Sequence, residues 1–251
     1  MKTWWKILTG AFLCCVFAWA LALWKDRSYL AADNTVLMPE IKPKYVALTF
    51  DDGPRAATTE RLLDGLAVRG VKATFFLIGE QLDANAALVQ RMAEEGHQVG
   101  NHTWGHARLS VTDEKTVTEE LTRTDAALRT LLGEGDYWVR VPYGLIRDDQ
   151  RHLFSQPLIQ WSLDPEDWKN RNTDTVTDFV LERVEPGDII LLHDSQETSV
   201  DAALRIVDAL QQQGYTFLTV RELLENAGVT PEAGVRYRSV KNIGSKNETQ
   251  R

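Results

Sequence analysis

Tyr45-Val-Ala-Leu-Thr-Phe-Asp51-Asp52-Gly53-Pro54 is the stretch from which the rest of the chain can be read. Its first six residues form a near-continuous apolar run, rich in β-branched and aromatic side chains. Such a run suits a strand buried on both faces. Two carboxylates and a Gly-Pro turn follow at once, so the strand delivers charge where it ends. A strand covered on both faces needs helices above and below it. Strands of that kind pair in parallel through helical crossovers.

The same alternation continues outward. Apolar runs lie at 73–78, 98–101, 137–141, 158–161, 188–193 and 217–220. Helical patterns fall between them, near 58–69, 84–95, 113–132, 173–184, 199–213 and 221–227. Gly70, Gly96, Gly133, Gly214 and Gly228 stand just past helical stretches, where a left-handed residue ends a helix. The pattern predicts an α/β fold of about seven parallel strands, closed or nearly closed into a (β/α) barrel over residues 44–228.

The ends of the chain read differently. Met1–Lys6 is short and basic, and Ile7 to Trp24 then runs 18 residues without a charge. That length reaches spanning size and predicts one N-terminal hydrophobic helix, residues 1–24, acting as a signal anchor or signal peptide. Leu23 and Trp24 continue the apolar run past Ala20-Leu21-Ala22, which favours an uncleaved anchor and an exported body. Residues 25–43 lack periodicity and read as a linker. Residues 229–251 read as a polar, basic tail that frays from about 235.

The 251 residues carry a net charge of −8, composed of +3 over 1–32, +4 over 235–251 and −15 between. An acidic body argues against nucleic acid as a partner. The two cysteines, Cys14 and Cys15, both lie in the apolar segment. They exclude a disulfide scaffold and a cysteine-rich zinc site.

In a parallel barrel the site forms where the strands end. Five of the predicted strand ends carry ionisable groups: Asp51-Asp52; His102 and His106; Arg140; Asp164 to Asp167; and His193-Asp194. His102 and His106 are four residues apart, which puts two imidazoles on one face of a helical turn, near enough to share an ion. Adjacent carboxylates at a strand end point different ways, so one of Asp51 and Asp52 can bind metal while the other faces substrate.

Together these stretches carry a resemblance. Thr49–Pro54 (TFDDGP), His102–His106 (HTWGH), Arg140–Gly144 (RVPYG), Asp164–Trp168 (DPEDW) and Leu191–Asp194 (LLHD) resemble the five ordered motifs of the polysaccharide deacetylases, the NodB-homology group or carbohydrate esterase family four. The family is a distorted (β/α) barrel of metal-dependent de-N-acetylases. The resemblance implies Asp52, His102 and His106 as metal ligands, with zinc expected and cobalt or nickel as alternatives. It implies Asp51 as general base oriented by Arg140, and His193 as general acid oriented by Asp167. It implies the Tyr143 backbone N–H as oxyanion donor, and Trp168, Leu191 and Pro142 as substrate contacts around the acetyl group. Ala107 and Val141 stand where relatives often have proline, which bears on loop geometry and substrate preference.

These residue types suit amide hydrolysis, in which water attacks poorly and an amine leaves poorly. The implied substrate is a polysaccharide of N-acetylhexosamine, with peptidoglycan expected first because Trp161–Lys169 looks like the peptidoglycan-type members. Chitin-like oligomers, exopolysaccharide and O-acetyl xylan are the alternatives within the class. A silent glycan-binding protein on the same fold is the rival from another class. The implied location is extracytoplasmic, with the N-terminal segment on the membrane.

Overall fold

The computed structural model describes residues 43–241. The expected hydrophobic helix at 1–24 and the linker, apart from Pro43, lie outside these residues, as does the tail beyond 241. Among the described residues no helix is long and apolar enough to cross a membrane. The elements run in the order β1 (Lys44–Gly53), α1 (Ala56–Arg69), β2 (Thr74–Leu77), α2 (Ala86–Glu94), β3 (Gln98–Asn101), α3 (Glu114–Leu132), β4 (Leu158–Ile159), α4 (Thr173–Arg183), β5 (Ile189–His193), α5 (Glu197–Gln212), β6 (Tyr215–Leu218), α6 (Val220–Asn226) and β7 (Arg236–Tyr237), joined by loops and short 3-10 turns.

β1 is the central strand, and its residues 46–51 are buried. It pairs in parallel with β2 along 49–53, with β5 along 47–51 and with β6 along 44–47. Ala47 has Ile189 on one edge and Leu218 on the other, so β6 and β5 flank opposite sides of β1. β2 pairs in turn with β3. From β3 the ring continues through single bridges: Asn101 to Val139, Val139 to Leu158, and Leu163 to Ile190 on β5. The result is a parallel α/β sheet curled into a distorted ring.

Alternation along β1 sorts its side chains by face. Val46, Leu48 and Phe50 enter the large core beneath the helices, with Leu62, Leu66, Ile206 and Leu210. Ala47 packs on the other face with Phe76, Trp138, Ile159 and Ile189. Thr49 and Asp51 share that inner face by parity. Local signals set the helix starts. Asp113 caps α3 by accepting the Thr116 N–H, Asn172 caps α4 by accepting that of Thr175, and Thr219 and Glu222 form a capping box at α6.

Two expectations are corrected. The strand predicted over Tyr137–Val141 is not a strand. Only Val139 bridges, linking β3 to β4, because Pro142 follows directly and Pro157, opposite, has no N–H to give a ladder. Nor does the chain fray at 235. Arg236–Tyr237 pairs with Leu158–Ile159, Ser239 bridges Asp188, and Lys241 Nζ reaches Glu185 and Asp188, each at 2.7 Å. These partners are distant in sequence, so local polarity gave no sign of them.

Candidate active site

Asp51 ends the inner face of β1 and is buried. Its Oδ1 accepts a hydrogen bond from Arg140 Nη1 at 2.8 Å. Arg140 is itself wholly buried and also donates to Thr49 Oγ1 at 2.7 Å and to the carbonyls of Ile159 and Gln160 at 3.3 and 3.1 Å. Its guanidinium lies 4.2 Å from the centroid of the Phe76 ring. A buried cation with this many acceptors is fixed in place, and it holds the carboxylate beside it in one orientation.

Asp52 turns the other way because its backbone is left-handed, with φ of 68°. The loop passes close to the chain after β5. A Cβ on Gly53 would stand 2.6 Å from an Asp194 carboxylate oxygen, so only glycine fits there. Asp52 Oδ1 lies 3.4 Å from His102 Nε2 and 3.2 Å from His106 Nε2. The donor atoms of the three residues fall within 4.8 Å of one another. His102 Nδ1 sits 2.7 Å from the Arg140 carbonyl, the arrangement that makes Nδ1 the proton-bearing nitrogen and leaves the Nε2 lone pair facing the group. Burial alone would raise the Asp52 carboxyl, but the neighbouring imidazoles of His102, His193 and His106 lower it to about 2. Burial and the neighbouring His102 lower the His106 imidazole, favouring its neutral form. Asp52 Oδ1 is buried without a hydrogen-bond partner. An unpartnered carboxylate oxygen facing two imidazole nitrogens fits a divalent cation held by one oxygen and two nitrogen ligands.

His193 ends β5 and is the register partner of Asp51. Its Nδ1 lies 2.7 Å from Asp167 Oδ1, and its backbone N–H donates to Asp167 Oδ2 at 2.8 Å. Asp167 is fully buried, so both its oxygens serve His193. Burial alone would lower the His193 imidazole. The hydrogen bond and charge of Asp167, with Asp51 and Asp52, raise it to about 9.

A cleft of about 380 Å³ collects these ends, lined by Asp51, Asp52, His102, His106, Tyr143, Trp168, Leu191 and His193, together with Trp161 and Asp164. Arg140 and Asp167 stand behind it, each against the residue it orients. Pro142 does not line it. It is buried at the start of the 3-10 turn Pro142–Gly144, and that turn presents Tyr143, whose φ is 61°. The five non-glycine residues with positive φ among the described residues are Asp52 at the end of β1 and Thr103, His106, Tyr143 and Glu166 in the segments that follow other apolar runs, so the turn from His102 to His106 is not the helical one expected from sequence. Strain of that kind concentrates at working sites. The sequence reading missed Trp161 and Asp164 as cleft residues. Trp161 closes the fifth apolar run and reads as part of a strand, and Asp164, just after it, reads locally as a turn residue before Pro165. That role is also real, since its Oδ1 accepts the Glu166 N–H at 2.8 Å.

Known proteins resemble this chain in sequence and in fold. The family model described as polysaccharide deacetylase matches residues 39–156. The chain is 39% identical over 202 residues to the peptidoglycan-N-acetylglucosamine deacetylase of Listeria monocytogenes serotype 1/2a, covering 79% of this chain and 43% of that protein. It thus spans less than half the length of that relative. It is 38% identical over 189 residues to a peptidoglycan-N-acetylglucosamine deacetylase of Bacillus cereus, covering 72% of this chain and 69% of that protein. Its fold is similar to that of a family 4 acetyl xylan esterase from Clostridium thermocellum in complex with a cobalt ion, with a TM-score of 0.75, 31% identity and coverage of 79% of this chain and 100% of the other. In sequence and in fold alike, the chain belongs to the polysaccharide deacetylase family.

Proposed function

We propose that this chain is a metal-dependent hydrolase that removes N-acetyl groups from N-acetylglucosamine residues of peptidoglycan and releases acetate. One observation carries the reading. A carboxylate fixed by a buried arginine and an imidazole fixed by a buried carboxylate end neighbouring strands, in one cleft with a three-donor cation group. The two relatives named as acting on peptidoglycan support the choice of polymer.

In this reading Asp52, His102 and His106 hold a divalent ion, zinc by the nature of the donors, with cobalt or nickel as substitutes. When bound, the ion supplies Lewis-acid polarisation of the acetyl oxygen and acidifies water in the cleft. Asp51 accepts the proton of the attacking water, and Arg140 holds that carboxylate in one orientation. The Tyr143 backbone N–H faces the oxygen that gains charge as the carbonyl carbon becomes tetrahedral. His193 enters protonated and gives its proton to the departing amine, with Asp167 fixing the ring and favouring the charged form. Leu191 and Trp168 wall the acetyl methyl. The apolar segment at 7–24 would hold the domain outside the cytoplasmic membrane, beside the polymer.

Replacing Asp51 with Asn tests the assignment. The variant should keep one bound zinc per chain and lose about 10²–10⁴-fold in acetate release. Unchanged release would contradict it.

A further inference from the structure

A second hollow, of about 320 Å³, adjoins the cleft and shares Tyr143, Trp161 and Asp164 with it. Its wall is completed by Gln160, Ser162 and Arg238 among others. Arg238 belongs to the C-terminal segment that β7 ties onto the barrel. Its Nε donates to Gln160 Oε1 at 2.7 Å, and Gln160 Nε2 donates to the Gly144 carbonyl at 2.8 Å. The guanidinium is therefore pinned through Nε to the turn that presents Tyr143, and the residue is exposed.

The neighbouring cations of the segment are matched with acids: Arg236 with Asp148 at 3.8 Å, and Lys241 with Glu185 and Asp188. Among the described residues no carboxylate pairs with Arg238. The one acid on the wall of the hollow, Asp164, is engaged with the Glu166 N–H. An oriented guanidinium without an acid, in a hollow that adjoins the cleft, is suited to a planar anion on the substrate.

We propose that this hollow is a subsite for the sugar adjoining the one that loses its acetyl group, and that Arg238 binds a carboxylate borne by that sugar. The proposal rests on the deacetylase reading above and narrows its substrate. In peptidoglycan the neighbouring sugar carries a lactyl ether. Its carboxylate is free in peptide-stripped strands, and elsewhere it is amide-linked to a stem peptide with carboxylates of its own. The shared chemistry is a carboxylate one residue along. Chitin has none.

The test compares the zinc-loaded full chain with its Arg238→Gln and Arg238→Lys variants on three glycans: chitotetraose, peptide-free peptidoglycan strand fragments, and the same fragments bearing stem peptides. The ratio of kcat/KM for carboxylate-bearing fragments over chitotetraose should fall about tenfold in Arg238→Gln, chiefly through KM. It should be partly restored in Arg238→Lys and should weaken in the wild type as salt rises. An effect on peptide-free fragments assigns the lactyl carboxylate, and an effect confined to peptide-bearing ones assigns the stem peptide. Equal losses on all three glycans would make Arg238 only a brace for Gln160 and would overturn the proposal, as would no loss at all. Calorimetric binding of the fragments separates the two readings. Arg238-dependent binding without acetate release from any glycan keeps the subsite and sinks the deacetylase reading. Acetate release with binding indifferent to Arg238 does the reverse.

Discussion

Arg140 joins the two halves of the site, since its side chain holds Asp51 while its carbonyl sets the tautomer of His102. The type and order of the polar residues were legible in sequence, because each follows an apolar run. Their second contacts were not. Thr49, two residues before Asp51 and on the same face, accepts from Arg140 and donates its own hydroxyl to the Ile190 carbonyl at 2.7 Å. A threonine in an apolar run gives no sign of that. His193 yields a prediction at this scale. Its folded value, about 9, lies above its ordinary 6.5, so the folded chain binds the proton more tightly. The resulting stability is fully present below about pH 6.5 and is lost as pH rises through about 9. In the metal-free protein, the urea midpoint of the wild type should therefore approach that of Asp167→Asn as pH rises over this window. A constant gap between the two would contradict the pairing.

The elements were legible where period and punctuation agreed. The strand at 98–101 and the helix ending at 132 before Gly133 stand where the sequence puts them. The run at 217–220 does not end as predicted, because the Thr219–Glu222 capping box begins a helix at Val220 and the strand starts earlier, at Tyr215. The run at 137–141 has strand composition, yet the proline after it and the proline opposite it confine its bridges to Val139. Such outcomes depend on the neighbouring strand, which local pattern does not report. β3 supports a prediction of its own. A Cβ on Gly100 would meet the Phe76 ring at 2.6 Å and the Trp138 carbonyl at 2.7 Å. Gly100→Ala should cost about 1–3 kcal/mol by overpacking, read as a lower urea midpoint. It should also weaken zinc binding, because His102 follows two residues on. A variant as stable as the wild type would mean that β3 packs less tightly against β2 and Trp138 than described.

Among the described residues the carboxylates are mostly solvated, with Asp51, Asp167, Asp188 and Asp194 as buried exceptions. Asp188 explains why the C-terminal segment is part of the fold. It accepts from Ser162 Oγ at 2.5 Å and from the Glu185 N–H at 2.7 Å, and Lys241 supplies its counter-charge. Lys241→Met should lower stability by about 1–2 kcal/mol in chemical denaturation, a value discounted for the partial exposure of the lysine. No change would place that ion pair among the neutral surface contacts. Nothing in a basic, polar run announces a partner 53 positions away, so this part of the fold was illegible in sequence, while most of the polar residues that meet in the cleft were legible. The account as a whole stands on metal-dependent release of acetate. The direct measurement is acetate, with the matching loss of acetyl mass, from peptidoglycan fragments treated with the full chain, zinc-loaded, chelated and reloaded. Release that is abolished by chelation and restored by metal is the predicted result. A zinc-, cobalt- or nickel-loaded chain that binds peptidoglycan, chitin-like and xylan glycans yet deacetylates none of them would contradict it.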